Sequence, residues 1–195
     1  MIAADDSALK NIASFLQKNK GKRAFAEHEV KRFLRGIGLP VPNGMLVGKD
    51  GYIPSSNLAY PLAAKVSSSK ITSKSDVGGI RLGLKNDAEL KKAVSELLKI
   101  EYAEGVLVEE MAHEGIEVII GGVIDKQFGP VVMFGLGGVF VELFKDIAFA
   151  LAPLKEEDAF WLIKQVRGYK LLEGFRGKAA VDKATLIKTI LTVSE

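Results

Sequence analysis

The fold is decided by the stretch FGPVVMFGLGGVFVE, residues 128–142, which joins a dense apolar run to closely spaced glycines. In ordered structure, each of its four glycines costs about 0.5–1 kcal/mol relative to alanine. That cost indicates a close approach of the backbone to a neighbour, although a tight hairpin would explain two of them. We predict strands over 130–134 and 139–143, joined by a hairpin at 135–138.

The flanking sequence extends this β-rich region. Residues 106–111 and 117–124 also have the composition of strands, and only 125–128 separates the second of them from the next strand. Connections this short force antiparallel neighbours, because a parallel crossover needs a dozen residues or more. Short strands are predicted earlier in the chain, where Ile80, Leu82 and Leu84 alternate with polar residues or glycine. Apolar residues at helical spacing predict two helices at the start, one after Asn86 or Asp87, and two at 156–166 and 182–193. The fold class is therefore α/β with an antiparallel sheet.

Composition excludes several kinds of protein. The chain has 195 residues, 48% of them hydrophobic and 26% charged, which is typical of a globular protein. The net charge of +3 is too small and too dispersed to indicate a nucleic-acid partner. The lack of cysteine excludes disulfides and thiolate chemistry, and the two histidines stand far apart. Without an export signal or a membrane-length apolar run, we expect a cytoplasmic protein with no membrane partner.

Two features near the middle of the chain are suited to anions. Lys65 ends an apolar strand, where it is either a surface lysine or an ammonium aimed into a cleft. The segment 67–79 that follows contains small hydroxyl residues, two lysines and the Gly78-Gly79 pair. Such a loop can wrap an anion with its backbone N–H groups, or it is an ordinary solvated loop. It is neither a Walker P-loop nor a dinucleotide fingerprint.

Carboxylates mark two further places. Glu109 and Glu110 end a strand before Met111, and Glu117 follows soon after. A strand end of this kind can read an adenine edge and hold ribose hydroxyls, or its acids are simply solvated. Glu142 and Asp146 follow the glycine-rich stretch and face either a metal–phosphate group or water.

Taken together, the order and spacing of these pieces resemble one family. It is the ATP-grasp subunit, or the equivalent fused domain, of ADP-forming acetyl-CoA synthetases, a group related to succinyl-CoA synthetase. The resemblance runs from about residue 24 through most of the chain, and 128–142 is its most specific part. The matching segments are 27–34, 38–42, 60–66, 74–79, 108–111, 129–146 and 168–177.

The resemblance implies an ATP-grasp fold, in which two α/β subdomains clasp a nucleotide. The expected subdomains are a small one over 43–105 and a larger one over 1–42 plus 106–195 that lacks its final strands. The implied phosphate ligand is Lys65, with Gly78 and Gly79 in a phosphate-side loop. The implied adenine hinge is Glu109, Glu110 and Met111, the ribose ligand is Glu117, and Glu142 and Asp146 lie near the phosphoryl-transfer centre.

The implied reaction moves a phosphoryl group between a phosphohistidine of a CoA-binding α subunit and ADP, within a hetero-oligomer that acts on acetate or a similar small acid. Three departures accompany the match. Ser73 stands at a catalytic position where the family carries a relay histidine, and a serine is not a readily reversible phosphoryl carrier. Ala150 replaces an arginine, and the Mg²⁺ ligands are expected beyond Glu195. The alternative is a catalytically degenerate nucleotide-binding or regulatory module, like the synthetase-like part of some protein acetyltransferases. An ATP-grasp carboxylate ligase is the third possibility.

Overall fold

The computed structural model describes residues 6–177 and 179–195, and within them the chain forms two compact units. The N-terminal unit runs through His113, and the C-terminal unit spans Glu114–Glu195. In the described residues, no helix combines the length and apolar character that crossing a membrane requires.

A four-stranded antiparallel sheet is the centre of the N-terminal unit. Its strand order is β1-β4-β2-β3, so the last strand in sequence lies between the first two. The elements in chain order are α1 (Asp6–Lys18), α2 (Glu27–Gly36), β1 (Gly44–Val47), β2 (Leu62–Ser67), β3 (Ile80–Leu84), α3 (Asp87–Leu97) and β4 (Gly105–Glu110).

The two faces of this sheet differ in chemistry because side chains alternate along each strand. On one face, Leu62, Ala64, Val106 and Val108 pack with the apolar residues of α3 into a buried core. Asn86 begins α3 by accepting a hydrogen bond from the Glu89 backbone N–H at 3.0 Å, which is a typical N-cap.

The opposite face carries polar side chains and lies against α2. His28 Nδ1 is 2.8 Å from Ser67 Oγ, and Lys31 Nζ is 2.6 Å from the carboxylate of Glu109. The aromatic side of α2 is turned to α1 instead, where the rings of Phe15 and Phe33 stack at 4.4 Å. Because α2 contacts this face through polar and charged side chains, it holds those side chains in fixed positions. This face of the sheet is therefore the candidate site.

The C-terminal unit places helices against one face of a three-stranded antiparallel sheet with order β5-β6-β7. Val132, Phe134 and Leu136 point into its core, which is completed by buried residues of the helices. The elements in chain order are β5 (Val118–Asp125), β6 (Gly129–Leu136), α4 (Val139–Glu142), β7 (Ile147–Leu151), α5 (Glu156–Lys164), α6 (Tyr169–Leu172) and α7 (Lys183–Ser194).

The predicted hairpin at 125–128 is confirmed, and the one at 135–138 is wrong. Asp125 pairs with Gly129, and its carboxylate accepts from the backbone N–H groups inside the turn. After β6, the chain instead forms the single turn α4 and enters its last strand at Ile147. A short apolar run such as 139–143 fits a strand or a helical turn equally well, so periodicity alone misassigned it.

The expected subdomain boundaries also differ from the two units. Residues 6–42 and β4 belong to the same unit as the residues of the expected small subdomain. The reason is that β4 lies between β1 and β2 and hydrogen-bonds to both, so it cannot be assigned apart from them. Residues 1–5 of the expected larger subdomain lie outside the described residues.

The predicted burial of alternate residues in β3 holds only in part. Leu84 is buried, whereas Leu82 is 62% exposed. Gly83 has φ +68°, and the pairing of β2 with β3 shifts register between Leu62 and Ala64. Because β3 is an edge strand with this irregularity, its alternation no longer matches the two faces of the sheet.

Candidate functional site

Five charged side chains of the N-terminal unit form one connected network, called here the charge cluster. Its members come from α2, β2, β4 and the loop 68–79: Glu27, Lys31, Lys65, Lys74 and Glu109. Three lysines surround two carboxylates, so the cluster has an excess of one positive charge. An anion is therefore the ligand that its electrostatics favour.

Glu109 is the buried member of the cluster, with 2% of its surface exposed. It is placed there by register, because Ala63 of β2 lies opposite Glu109 and Lys65 lies opposite Leu107 on the same face. Its carboxylate accepts from Lys31 Nζ at 2.6 Å and from Lys65 Nζ at 3.0 Å. An unpaired charge at this depth would be costly, so the two ammonium groups are what permit its burial.

Glu27 lies at the more exposed side of the charge cluster and contacts all three of its lysines. Its Oε1 is 2.9 Å from Lys31 Nζ and 3.2 Å from Lys65 Nζ, and its Oε2 is 2.9 Å from Lys74 Nζ. Burial by itself would raise the pKa of Glu27, but the hydrogen bonds from Lys31 and Lys74 and the charge of Lys65 lower it to about 2. The carboxylate is therefore ionised throughout the physiological range.

Lys65 has the environment expected of a fixed cation. Burial alone would lower its pKa, but the hydrogen bond to Glu109 and the attraction of Glu27 raise it above the ordinary value. The ammonium is held at two carboxylates rather than extended into water. The role of Lys65 as a phosphate ligand in a cleft stays a prediction.

The loop 68–79 closes on itself through its glycines. The Gly79 N–H donates to the Lys74 carbonyl at 2.7 Å, and the Gly78 N–H donates to the Ser75 carbonyl at 3.1 Å. A Cβ on Gly79 would collide with Val66 Cγ1, so only glycine fits there. The N–H groups of Gly78 and Gly79 are thus occupied within the loop, and the charge that the loop brings to the cluster is that of Lys74.

The segment predicted as an adenine hinge forms the end of β4, and its carboxylates have partners within the N-terminal unit. Glu109 is engaged in the charge cluster, and Glu110 accepts from Asn43 Nδ2 at 3.1 Å and from the Ala59 N–H at 2.8 Å. The Met111 N–H donates to the Pro61 carbonyl at 3.2 Å, and its side chain is partly exposed. These contacts position the segment, and they engage the carboxylates of both Glu109 and Glu110 in hydrogen bonds within the protein.

Glu117 lies in a cavity of the C-terminal unit with a volume of about 430 Å³. That volume is in the range of small-molecule sites. The lining is mostly apolar, with one carboxylate and one guanidinium: Gly115, Ile116, Glu117, Gly137, Gly138, Phe140, Leu171, Phe175 and Arg176.

Of the four glycines in 128–142, Gly135 and Gly137 are explained by the close approach of neighbouring residues, whereas Gly129 and Gly138 have positive φ angles of +79° and +56°. The Gly137 N–H donates to the Glu117 carbonyl at 2.7 Å, and a Cβ on Gly137 would lie 2.8 Å from Glu117 Cβ. A Cβ on Gly135 would lie 2.7 Å from Ile147 Cγ2 and 2.9 Å from the Asp146 carbonyl. Glycine is required at both positions because side chains there would push the strands apart.

Asp146 and Glu142, predicted together near a phosphoryl-transfer centre, have separate environments. Asp146 is 6% exposed, and its two oxygens accept from the backbone N–H groups of Arg167 at 2.7 Å and Gly168 at 2.9 Å. Glu142 is exposed at the end of α4. Asp146 therefore ties the strand region to the turn before α6, a structural role that the sequence pattern did not indicate.

Residues 6–177 and 179–195 contain no group of three histidine, cysteine, aspartate or glutamate side chains placed to hold a metal ion. The two carboxylates of the charge cluster are already neutralised by lysines. No step is therefore assigned to a metal bound by these residues.

Sequence reasoning missed three members of the cluster: Glu27, Lys31 and Lys74. Two signals were available. Glu27 and Lys31 are four residues apart on a predicted helix, a spacing that is common on solvated surfaces, and Lys74 is one of the two lysines of the predicted anion-binding loop. Ser73 was singled out, and it is exposed directly beside Lys74.

Replacing Asp146 with asparagine should destabilise the protein without removing the charge cluster. The amide retains only one acceptor oxygen for two backbone donors, so we expect a loss of about 1–3 kcal/mol in urea unfolding. Asp125→Asn is the matched control, because Asp125 is exposed and accepts two backbone N–H groups at one oxygen, Oδ1, which asparagine retains. Equal unfolding midpoints for the two variants would contradict the structural role.

The acid sensitivity of Glu27 follows from its depressed pKa. Its value falls from 4.5 to about 2 on folding, so its stabilisation is complete above pH 4.5 and is lost as the pH drops towards 2. The shift corresponds to up to about 3 kcal/mol. Urea unfolding of the wild type and of Glu27→Gln at several pH values between 2 and 5 measures it. We expect the difference in unfolding free energy to shrink with acid, and a constant difference would contradict the assignment.

Comparison with known proteins places this architecture in a family. A model of the ATP-grasp domain matches residues 17–195. The β subunit of acetate–CoA ligase [ADP-forming] I of Pyrococcus furiosus is 37% identical over 190 residues, which cover 92% of this chain and 82% of that subunit. The β subunit of isoenzyme II is 39% identical over 197 residues, covering 96% of this chain and 83% of that subunit.

Larger single-chain relatives and solved structures agree. Acetate–CoA ligase [ADP-forming] II of Archaeoglobus fulgidus is 38% identical over 171 residues, and the chain spans 25% of its length. A dinucleotide-forming acetyl-coenzyme A synthetase of Ca. Korarchaeum cryptofilum, in complex with coenzyme A and Ca-AMPCP, superposes with a TM-score of 0.83 at 39% identity. The match covers 95% of this chain and 84% of that one. The chain therefore belongs to the ATP-grasp family, in the group formed by the β subunits and fused domains of ADP-forming acetate–CoA ligases.

Proposed function

We propose that the chain is the nucleotide-binding part of an ADP-forming acyl-CoA synthetase acting on acetate or a similar small acid. It transfers a phosphoryl group between a phosphohistidine of a CoA-binding partner and ADP. The observation that carries the proposal is Lys65, a charged lysine fixed by two carboxylates in a family whose members are such synthetases. The similarity to two β subunits over more than four-fifths of their length supports it.

An enzyme catalyses phosphoryl transfer mainly by positioning the reacting groups and stabilising their charge, and less by covalent chemistry of its own. The transition state spreads negative charge over the oxygens of the transferred group, so a pre-placed cation stabilises it. Lys65 is held in place before any ligand arrives, and the charge cluster has a net positive charge. We assign the phosphates of the nucleotide to this cluster, with Lys65 as the direct contact.

For the ribose, we propose Glu117 as the ligand. Its carboxylate accepts hydrogen bonds only, which suits the hydroxyls of a sugar. The cavity that contains Glu117 has the apolar walls and few polar groups of small-molecule sites. The roles of Met111 at an adenine hinge and of Glu142 near the transferred group stay predictions.

Ser73 decides the route that we propose for the phosphoryl group. A serine does not form a readily reversible phosphoryl carrier, so no relay through residue 73 is assigned. We propose direct transfer between ADP and the partner's phosphohistidine. In a relative from Ca. Korarchaeum cryptofilum with coenzyme A and Mg-AMPPCP, the phosphohistidine segment points towards the nucleotide-binding site. The serine equally favours the second candidate, a module that binds nucleotide without turnover.

Removing the Lys65 ammonium should weaken nucleotide binding. A hydrogen bond to a charged group contributes about 1.5–3 kcal/mol, so Lys65→Met should raise the Kd for Mg-ADP at least about tenfold in calorimetry. Lys92→Met is the control, because Lys92 is exposed on α3. Absence of wild-type binding at millimolar Mg-ADP and Mg-ATP would contradict the proposed function. Wild-type binding with no effect of Lys65→Met would show that the phosphate site is elsewhere.

Turnover separates the two candidate functions. With a CoA-binding α subunit added, we expect ATP formation from acetyl-CoA, ADP and phosphate by the wild type. Ser73→Ala should match it, because no bond to residue 73 is part of direct transfer. If the wild type is inactive and Ser73→His restores turnover, the module is a degenerate one whose relay was lost, and direct transfer is wrong.

A further inference from the structure

We infer that Glu27 is a positioning residue that fastens the loop 68–79 to α2 through Lys74. The inference rests on the proposed function only where it concerns nucleotide affinity, since the fastening itself is a property of the free chain. The sequence pattern assigned no individual role to Glu27 or Lys74, although Lys74 is one of the two lysines of the predicted anion-binding loop.

The geometry of Glu27 divides its two oxygens between two tasks. Oε1 contacts Lys31 of α2 and Lys65 of β2, both of which belong to the framework of the unit. Oε2 contacts Lys74 of the loop at 2.9 Å. One carboxylate therefore links a helix, a strand and a loop, and its side chain is only 22% exposed, which limits screening by water.

Lys74 depends on Glu27 in a way that the other lysines do not. Lys31 and Lys65 each have a second carboxylate partner in Glu109. Among the ion pairs of the described residues, Lys74 has Glu27 as its single partner. Loss of the Glu27 charge therefore releases Lys74 selectively, while Lys31 and Lys65 keep one counterion each.

The contact reaches the strand that carries Lys65. The Lys74 carbonyl accepts from the Gly79 N–H at 2.7 Å, and the Gly79 carbonyl accepts from the Val66 N–H at 2.8 Å. Among the described side chains of residues 71–77, only that of Lys74 makes a hydrogen bond or ion pair with another element. Fixing Lys74 thus fixes the loop, including Ser73, beside the site proposed for the phosphates.

Hydrogen exchange of the nucleotide-free protein tests the fastening directly. The amides of Gly78 and Gly79 report on the loop, and those of α3 report on the fold as a whole. We expect Glu27→Gln and Lys74→Met each to raise exchange at Gly79 about tenfold, as loss of a contact of about 1.4 kcal/mol would do. Because Lys74→Met removes a contact that Glu27→Gln already removes, the double variant should exchange no faster than Glu27→Gln alone.

The matched control is Glu29→Gln. Glu29 lies on the same helix and also pairs with a lysine, Lys22 at 2.7 Å, but it has no contact with the cluster. Its variant should leave exchange at Gly79 unchanged. Additive effects of Glu27→Gln and Lys74→Met, or an equal effect of Glu29→Gln, would overturn the inference. If Glu27→Gln unfolds the protein, Lys74→Met alone decides: unchanged exchange at Gly79 would overturn it.

Calorimetry with Mg-ADP then tests the consequence for the site. We expect Glu27→Gln to raise the Kd about tenfold and Glu29→Gln to leave it unchanged. Wild-type binding with equal affinity for Glu27→Gln would overturn the positioning role. Failure of the wild type to bind nucleotide would instead contradict the proposed function, and the exchange experiment would still decide whether Glu27 fastens the loop.

Discussion

The burial of Glu109 between Lys31 and Lys65 is the constraint on which the charged face of the N-terminal unit depends. A lone carboxylate at 2% exposure would be strongly destabilising, so the two ammonium groups must lie where they do. This requirement draws α2 onto the sheet through charge rather than through an apolar face. The same contacts that permit the buried carboxylate thus hold Lys65 ready for an anion.

Glu27 extends this arrangement from the buried interior to the surface. It shares Lys31 and Lys65 with Glu109 and adds Lys74 from the loop. A site of this kind has its positive charges placed before the ligand binds, so little reorganisation is needed on binding. The price is a set of lysines that would repel one another without the two carboxylates.

In the C-terminal unit, the main constraint is the close approach of backbone segments to one another. Gly135 and Gly137 leave room for neighbouring strands, and Asp146 holds the turn at Arg167 and Gly168 with both oxygens. The conspicuous glycines and the acid that follows them therefore serve packing first. Their presence in a family motif does not by itself make them catalytic, since a structural need explains Gly135, Gly137 and Asp146.

The fold class, the family and the type of nearly every long element could be predicted from the amino-acid sequence, because periodicity and turn chemistry are local properties. It assigned α3, α5, α7 and the hairpin of β5 and β6, and it singled out Lys65. It misassigned 139–143, where a short apolar run has no decisive period. Which charged side chains contact one another could not be predicted in this way. Lys31 and Glu109 are 78 positions apart, and they are brought together by strand order and register, which no local pattern contains.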